Sequence, residues 1–390
     1  MPFWPNISKY PQSPNFTSGG PGPKVLIAPL DWGLGHVTRC IPIIRALLSR
    51  NCEIWVGCDA IARQILEREI EGLHFLNLKG YGVRYPAGNR SFPLKMLIQA
   101  PKILLAIRRE RKWLQGIMSR YGIDALISDN RYGLHSKQIP TVFITHQLAI
   151  ISGLGHWLDK RIQAINFSYI MKFQRCWIPD FPGEHNLSGN LAHSGPLPPN
   201  AEFIGLLSRF QRTNLKNPEY EIMVILSGPE PQRTLFEKIL IQNLPKSNRK
   251  ICFVRGLPLT EVPISGPDHI SYFNYLDSVQ LNQFLQKSEW VICRAGYSSV
   301  MDLITLEKKA ILVPTPGQTE QEYLATYLKA KGIFYSVTQE EFNLENCLEK
   351  ASGFPYRFSL INDQPHALAP AIDKFLASLS ARLEKSPESS

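Results

Sequence analysis

The chain is built from two successive series in which short apolar segments alternate with amphipathic ones. The first series opens with VLIAPL (25–30), passes through a glycine-rich turn and continues into VTRCIPIIRALLSR (37–50). Apolar runs of this length are typical of strands buried on both faces, and the three- and four-residue spacing that follows is typical of an amphipathic helix. Repeated strand and helix segments predict a parallel sheet covered by helices on both faces.

The same pattern recurs in both halves of the chain. The further predicted strands are CEIWVGC (52–58), DALISD (124–129), TVFIT (141–145), EIMVILSG (221–228), KICFVRG (250–256), WVICRAG (290–296) and AILVP (310–314). The further predicted helices are DAIARQILERE (59–69), QRTLFEKILIQNL (232–244), LNQFLQKSE (281–289) and YSSVMDLITLEK (297–308). We expect AILVP to close the second series.

The alternation of strand and helix segments is interrupted at residues 194–218, and this interruption separates the two series. Its second part, from residue 208, is polar. The division predicts two Rossmann-like α/β domains that face each other across a cleft, with ligands at the carboxyl ends of the strands. The predicted segments are a flexible Pro/Gly-rich tail (1–23), an N-terminal domain (24–204), a C-terminal domain (205–365) and a C-terminal helix and tail (366–390). We expect the helix near residues 370–379 to pack across the domain junction.

Composition narrows the class of protein. With 390 residues, 44% of them hydrophobic and 19% charged, the chain can bury a large core. Its seven cysteines are odd in number and contain no C-x-x-C pair, so neither a disulfide framework nor a zinc site is indicated. No apolar run approaches the ~20 residues of a membrane helix, and the N-terminus has no signal-peptide pattern. These features predict a cytoplasmic location.

The first glycine-rich turn, Asp31-Trp32-Gly33-Leu34-Gly35-His36, leaves a strand and opens a helix, where backbone amides can face an anion or a developing negative charge. His36 is a candidate general base, because imidazole takes a proton near neutral pH. Asp129 ends a strand at the same sheet edge and is its candidate partner. The alternatives are a tight turn with a capping histidine and an aspartate that caps a turn. His146 and Gln147 follow the next strand.

Three loops of the second half carry polar groups at strand ends. They are Ser227-Gly228-Pro229-Glu230-Pro231-Gln232-Arg233, Cys293-Arg294-Ala295-Gly296 with Asp302 eight residues after Arg294, and Pro314-Thr315-Pro316-Gly317-Gln318-Thr319-Glu320-Gln321-Glu322. Amides at the start of a helix suit phosphates, and carboxylates and amide side chains suit ribose hydroxyls. Taken separately, each loop is also compatible with ordinary turn chemistry.

Taken together and in order, these loops resemble glycosyltransferase family 28, which includes the enzyme that adds N-acetylglucosamine to the lipid-linked peptidoglycan precursor. The resemblance rests on five features: the glycine-histidine turn, ITHQ, S-G-P-x-x-Q-R, CRAG with an aspartate eight residues after its arginine, and VPTPGQTEQEY. It covers roughly residues 24–365. It implies a GT-B fold in which the C-terminal domain binds a nucleotide-sugar, usually a UDP-sugar, and the N-terminal domain binds the acceptor.

The resemblance also implies roles for individual residues. The implied nucleotide-sugar contacts are Gly228, Glu230, Gln232, Asn274, Tyr275, Leu276, Arg294, Gly296, Asp302, Gln318, Gln321 and Glu322. The implied acceptor contacts are Gly33, Gly35, His146 and Gln147. The chain departs from the family pattern at Asp31 and Trp32, where the first loop has glycines, at Pro229 and Pro231 in a turn that is usually glycine-rich, and at Asp302, where glutamate is usual.

The chain contains no D-x-D carboxylate pair, so we expect a transfer without a metal or other cofactor, in which amides, helix dipoles and cations stabilise the leaving charge. The hypothesis is an inverting single displacement, with His36 as base and Asp129 orienting it, toward a lipid-linked or cell-envelope acceptor. Two alternatives stay open: an isomerase of the UDP-N-acetylglucosamine 2-epimerase type, and a non-catalytic nucleotide-sugar-binding protein.

The whole chain has a net charge of +10, and its positive excess lies in the first half, where residues 1–200 hold 23 Lys and Arg against 12 Asp and Glu. Two stretches, 94–122 and 157–177, interleave cations with apolar and aromatic residues. Such helices can lie on an anionic membrane surface, here the inner face of the cell membrane, and the alternative is a solvated helix face over a buried stripe. The aromatic residues form no recognisable RNA-binding platform, so nucleic acid is not an expected partner.

Overall fold

The computed structural model describes residues 22–82, 92–150, 155–213, 218–244, 248–260, 262, 266–365 and 367–383. Most of the predicted N-terminal tail and the last seven residues of the chain lie outside these ranges. Within them the chain forms two parallel sheets, each covered by helices on both faces, so the predicted α/β class is confirmed.

The N-terminal sheet has seven parallel strands in the order β3-β2-β1-β4-β5-β6-β7. Its strands are β1 (Lys24–Ala28), β2 (Glu53–Cys58), β3 (His74–Asn77), β4 (Ala125–Asp129), β5 (Thr141–Ile144), β6 (Arg175–Ile178) and β7 (Ala201–Phe203). Its helices are α1 (Leu34–Leu48), α2 (Ala60–Glu69), α3 (Phe92–Tyr121), α4 (His156–Ile170) and α5 (Asn190–His193). The strand order reverses between β1 and β4, which opens a crevice at the carboxyl ends of these strands.

The C-terminal sheet has six parallel strands in the order β10-β9-β8-β11-β12-β13. Its strands are β8 (Tyr220–Ile225), β9 (Ile251–Val254), β10 (Ile270–Phe273), β11 (Ser288–Cys293), β12 (Ala310–Leu312) and β13 (Tyr335–Ser336). Its helices are α6 (Gln232–Asn243), α7 (Ser278–Gln286), α8 (Tyr297–Thr305), α9 (Thr319–Ala330), α10 (Leu344–Ser352) and α11 (Ser359–Asn362), and α12 (Leu368–Leu383) follows.

Local sequence signals explain where several helices begin. The Asp59 side chain accepts a hydrogen bond from the Ala62 amide and caps α2, as an N-cap aspartate should. Asp277 and Gln280 form a reciprocal capping box at the start of α7. Such capping satisfies amide groups that have no partner inside the helix, which fixes the first turn.

All the predicted strands are present, but the sequence reading missed five others: β3, β6, β7, β10 and β13. These strands have two to four residues, and each contains a polar or charged one, so none is a continuous apolar run. AILVP therefore does not close the second series, because β13 pairs with β12 at the edge of the sheet. All seven cysteines are free and buried, in agreement with the expectation of no disulfide framework.

The basic stretch 157–177 is not one amphipathic helix, as its spacing had suggested. Helix α4 ends at Ile170, and the stretch then enters strand β6. Trp177 is fully buried and Phe173 is nearly so, while Arg175 pairs with Glu202, so these residues belong to the folded interior and its margin. The polar stretch that begins at residue 208 is also partly packed, because the Phe210 side chain is buried.

Helix α12 returns to the N-terminal domain after the second sheet is complete. Arg50 Nε donates to Asp373 Oδ1 at 2.7 Å, and the Phe375 ring packs edge-on against Trp177 with centroids 5.8 Å apart. Helix α8 also packs on α1, and a single apolar cluster runs through both domains. These contacts join the two domains beside the cleft. Among the described residues, no helix has the length and apolar character needed to span a membrane.

Candidate active site

The carboxyl ends of the two sheets enclose a cavity of about 530 Å³ that is lined by both domains. Many of the residues singled out in the sequence line it. On the N-terminal side they are Gly33, Gly35, His36, His146 and Gln147, and on the C-terminal side they are Gly228, Tyr275, Leu276, Gly296, Asp302, Gln318 and Gln321. The predicted donor and acceptor residues therefore meet in one space.

His36 and Asp129 lie in contact at the wall of this cavity. His36 stands at the start of α1, directly after β1, and its Nδ1 is 3.1 Å from Oδ2 of Asp129 at the end of the adjacent strand β4. Asp129 has no exposed surface, whereas the His36 side chain is 16% exposed and reaches the cavity. This geometry allows the carboxylate to orient the imidazole while the ring faces the cleft.

Arg39, one turn after His36 on α1, also binds the Asp129 carboxylate. Its Nε donates to Asp129 Oδ2 at 2.7 Å, and its Nη2 donates to Asp129 Oδ1. Arg39 is only 2% exposed, so this is a buried two-armed ion pair. The sequence reading missed Arg39, although its position three residues after His36 on a helix places both side chains on one face.

His146 connects this cluster to the C-terminal domain. Its Nδ1 is 3.1 Å from Nη1 of Arg39, and its Nε2 is 2.7 Å from Oε1 of Glu320 at the start of α9. Its ring lies parallel to that of Tyr297, with centroids 4.1 Å apart. Both Glu320 and Tyr297 come from the C-terminal domain, so His146 is held from the two sides of the cleft.

The electrostatics of the cluster favour an uncharged His36. Burial lowers the pKa of His36, and this effect together with repulsion by Arg39 outweighs the attraction of Asp129. Burial alone would raise the pKa of Asp129, but Arg39 and then His36 bring it well below its ordinary value. Near neutral pH the site therefore holds a neutral imidazole beside an ionised carboxylate, which is the protonation state that a general base requires.

The glycine-rich turn is shaped for close approach between the domains. Gly33 has a φ of 102°, a conformation that side chains rarely adopt. A Cβ on Gly35 would lie 2.9 Å from Oγ of Ser298, whose hydroxyl donates to the Gly35 carbonyl at 3.0 Å. Asp31 turns away from the cavity and accepts from the Tyr81 amide at 3.2 Å, while Trp32 lines the cavity.

Five of the predicted nucleotide-sugar residues do not line the cavity; one of them, Asn274, accepts from Arg255 and donates to the Val262 carbonyl. Arg294 is 1% exposed; it donates to the carbonyls of Val313, Pro314 and Gln232 and to the Gln339 side chain. Its guanidinium points inward and joins three loops, and the contact between Arg294 and a nucleotide stays a prediction. The Gln232 side chain is buried, and Glu230 binds Arg233 and Thr234.

The loop before α9 is held by its own side chains. Gln321 Oε1 accepts from the Thr315 amide at 2.9 Å, and Glu322 Oε1 accepts from the Gly317 amide at 2.7 Å. Glu322 is thus the fifth predicted residue outside the cavity lining, whereas Gln321 lies at its wall. These bonds shape the loop that carries Glu320 toward His146.

Asp302 lies at the cavity wall and accepts a hydrogen bond from the segment that connects the two domains. Its Oδ1 accepts from Ser208 Oγ at 2.6 Å. Burial raises the pKa of Asp302 to about 6, against the smaller opposing effects of Arg209 and Ser208. A carboxyl group in this state can accept from or donate to a ligand hydroxyl, depending on pH. Among the described residues, no group of three or more His, Cys, Asp or Glu side chains has the arrangement of a metal site.

Comparison with known proteins agrees with the sequence resemblance. Residues 230–354 match the family model described as Glycosyltransferase family 28 C-terminal domain. A UDP-N-acetylglucosamine--N-acetylmuramyl-(pentapeptide) pyrophosphoryl-undecaprenol N-acetylglucosamine transferase from Haemophilus ducreyi is 23% identical over 333 residues, covering 80% of this chain and 85% of the relative. An uncharacterized glycosyltransferase from Methanosarcina acetivorans is 22% identical over 375 residues, covering 86% and 91%.

Solved structures give the fold. The glycotransferase of kitacinnamycin superposes with a TM-score of 0.60 at 12% identity, covering 95% of this chain and all (100%) of that one. Acinetobacter baumannii MurG superposes with a TM-score of 0.50 at 15% identity, covering 92% and 100%. The predicted GT-B fold is confirmed, and the predicted resemblance to family 28 is confirmed for residues 230–354, which match its C-terminal domain.

Proposed function

We propose that this chain, a glycosyltransferase of GT-B fold with a family 28 C-terminal domain, moves a sugar from a UDP-sugar to a hydroxyl group of a lipid-linked or cell-envelope acceptor. The observation that carries the proposal is the contact between His36 and Asp129 at the wall of a cavity shared by both domains. A base at this place can reach an acceptor from the N-terminal side while a donor is held on the C-terminal side.

The proposed reaction is a single inverting displacement. The acceptor oxygen attacks the anomeric carbon, its proton passes to neutral His36, and the bond from the anomeric carbon to the diphosphate oxygen breaks to release UDP. Asp129 faces the imidazolium that forms and stabilises its charge. Attack from the face opposite the leaving group inverts the anomeric centre.

The donor side offers the groups that a departing diphosphate requires. Gly228 has a φ of 100° and open space where a side chain would stand, so a ligand can approach the backbone of the β8–α6 loop closely. The amides at the start of α6 and α9 carry the positive ends of their helix dipoles. With no D-x-D pair in the sequence, we propose that these groups stabilise the leaving charge without a metal ion.

The names of the relatives support the substrate classes. The Haemophilus ducreyi relative is named for a UDP-N-acetylglucosamine donor and a pyrophosphoryl-undecaprenol acceptor, and the match spans most of both chains. A UDP-sugar and a lipid-linked hydroxyl are therefore the substrates to test first.

The surface of the N-terminal domain supports a membrane-bound acceptor. Trp157 and Ile165 on α4 are 70% and 58% exposed, and Leu104 and Leu105 on α3 are each 49% exposed. Exposed cations accompany them, namely Lys102, Arg108, Arg109, Arg111, Lys112, Lys160 and Arg161. Cations beside exposed apolar groups suit an anionic membrane surface, so we propose a peripheral location on the inner face of the cell membrane.

The decisive experiment incubates the purified chain with a panel of UDP-sugars and cell-envelope lipid extracts and searches for a new glycoside by mass spectrometry. We expect a glycoside that requires both substrates, together with thermal stabilisation of the chain by UDP alone. An altered sugar nucleotide formed without any acceptor would indicate an isomerase instead. Stabilisation by UDP with no product on any extract would indicate a binding protein.

A further inference from the structure

Arg39 lies at the centre of the candidate active site, where its hydrogen-bond donors can be followed one by one. Nε donates to Asp129 Oδ2, and one Nη2 hydrogen goes to Asp129 Oδ1. Nη2 also lies 2.9 Å from His36 Nδ1, and 3.1 Å from the side-chain oxygen of Asn130 in the amide orientation in which the Asn130 nitrogen donates to Thr145 Oγ1 at 2.9 Å. Nη1 lies 3.1 Å from His146 Nδ1.

The contact with Arg39 fixes the proton on His146. A guanidinium group has only donors, so the His146 Nδ1 that faces it must be an acceptor. The proton of the neutral ring is then on Nε2, which lies 2.7 Å from the Glu320 carboxylate, a group that accepts when ionised. Burial raises the pKa of Glu320, but the contact with His146 and the nearby Arg39 bring it below its ordinary value.

The opposite tautomer suits His36, because Arg39 Nη2 has more acceptors near it than hydrogens. Its two hydrogens face three groups: Asp129 Oδ1, the Asn130 side-chain oxygen at 3.1 Å and His36 Nδ1 at 2.9 Å. Asp129 Oδ2, 3.1 Å from the same Nδ1, can only accept. A proton on Nδ1 gives this carboxylate oxygen a donor from the ring and leaves the lone pair on Nε2 free for the cleft.

We propose that Arg39 is the positioning residue of this site, which holds His36 as the Nδ1–H tautomer, ready to accept a proton at Nε2, and holds His146 as the Nε2–H tautomer directed at Glu320. The inference rests on the proposed function, in which His36 is the base. Glu320 and Tyr297 belong to the C-terminal domain, and both contact His146. Because the Arg39 guanidinium faces His146 as well as the base, it links the base to these contacts between the two domains.

The first test needs no change at Arg39 and no turnover. Long-range ¹H–¹⁵N spectra of the full chain, labelled on histidine, separate protonated from unprotonated ring nitrogens. His36→Gln and His146→Gln variants assign the signals. We expect a protonated Nδ1 on His36 and a protonated Nε2 on His146 at neutral pH. The reverse tautomer on either ring would overturn the proposal.

The second test is kinetic and uses Arg39→Gln, which keeps hydrogen-bonding groups but removes the charge. The charged or titratable groups around His36 are Arg39, Asp129, His146 and Glu320. Without Arg39 the imidazole loses a repelling cation and keeps the Asp129 carboxylate, so its proton is held more tightly. We expect kcat to fall by about 10²-fold or more, because a positioned base contributes about that much. The KM for the donor should stay within about twofold, since Arg39 lies on α1 of the N-terminal domain, on the side of the cavity opposite the predicted donor residues.

The pH profile separates positioning from a general structural defect. We expect the acidic limb of kcat/KM for Arg39→Gln to move to higher pH by about one unit or more. The matched control is Arg63→Gln, an exposed arginine on α2 paired with Glu67, which should leave the profile unchanged. A folded Arg39→Gln enzyme whose activity drops equally at every pH would contradict the proposal. Arg39→Lys, which keeps the charge, provides a second variant if the glutamine variant does not fold.

The outcomes distinguish this inference from the proposed function. The predicted tautomers in a chain that transfers no sugar to any acceptor would contradict the proposed function and leave the role of Arg39 intact. Reversed tautomers in an active transferase would contradict the role of Arg39 alone.

Discussion

Replacing Asp129 by asparagine leaves the Arg39 guanidinium buried without a counter-charge. Asp129 is fully buried and Arg39 is 2% exposed, so solvent screens their interaction little. An asparagine offers one acceptor in place of two, and its amide hydrogens would face the donors of Arg39. Breaking one half of such a buried pair costs about 3–5 kcal/mol, so we expect the free energy of unfolding to fall by that amount at pH 7.

The pH dependence of this loss has a definite sign. The pKa of Asp129 is depressed in the folded chain, below the ordinary value of 3.8, by Arg39 and His36 acting against burial. Its stabilising contribution is therefore fully present above that ordinary pKa and is lost as the pH falls through the lower folded value. The difference between the wild type and the variant should be constant from about pH 6 to 8 and shrink only in acid below about pH 4.

Urea unfolding followed by circular dichroism measures this difference. The control is Glu67→Gln, which breaks an exposed pair with Arg63 and should change the free energy of unfolding by less than about 1 kcal/mol. The double variant Arg39→Met/Asp129→Asn removes both charges, so it should recover a large part of the stability. An Asp129→Asn chain within about 1 kcal/mol of the wild type at pH 7 would refute the reasoning.

Three other variants test separate parts of the site. His36→Ala should lower kcat by about 10²–10⁴-fold while UDP still raises the melting temperature to the same extent, and near-normal glycoside formation would remove His36 as the base. Asp302→Asn should stabilise the chain at pH 8 by roughly 1–3 kcal/mol in urea unfolding, because burial raises the pKa of Asp302 to about 6 and the carboxylate is costly above that pH. This gain should disappear as the pH falls toward about 4, and a pH-independent gain would contradict it. Arg161→Glu should weaken binding to anionic vesicles at low salt by about tenfold or more, since each surface cation contributes about 1 kcal/mol. Equal retention of wild type and variant, or no retention of either, would count against the membrane proposal.

The sequence alone located the main elements and one edge of the site. Alternating apolar and amphipathic segments specify strands and helices through their spacing, and parallel strands end at a common edge. His36, Asp129 and His146 follow the adjacent strands β1, β4 and β5, so their proximity could be predicted without coordinates. The five missed strands are short and each contains a polar or charged residue, so they show neither an apolar run nor a periodic pattern.

The tertiary structure decided which polar groups face the cavity and which support it. Arg294 and Asp302 both follow from the same sequence motif, yet Arg294 turns into the protein and Asp302 lies at the cavity wall. Glu320 reaches His146 from 174 residues away along the chain. Local spacing sets the direction of a side chain only within a regular helix or strand. At strand ends and between domains, direction depends on packing and on the satisfaction of buried donors and acceptors, which only the folded chain brings together.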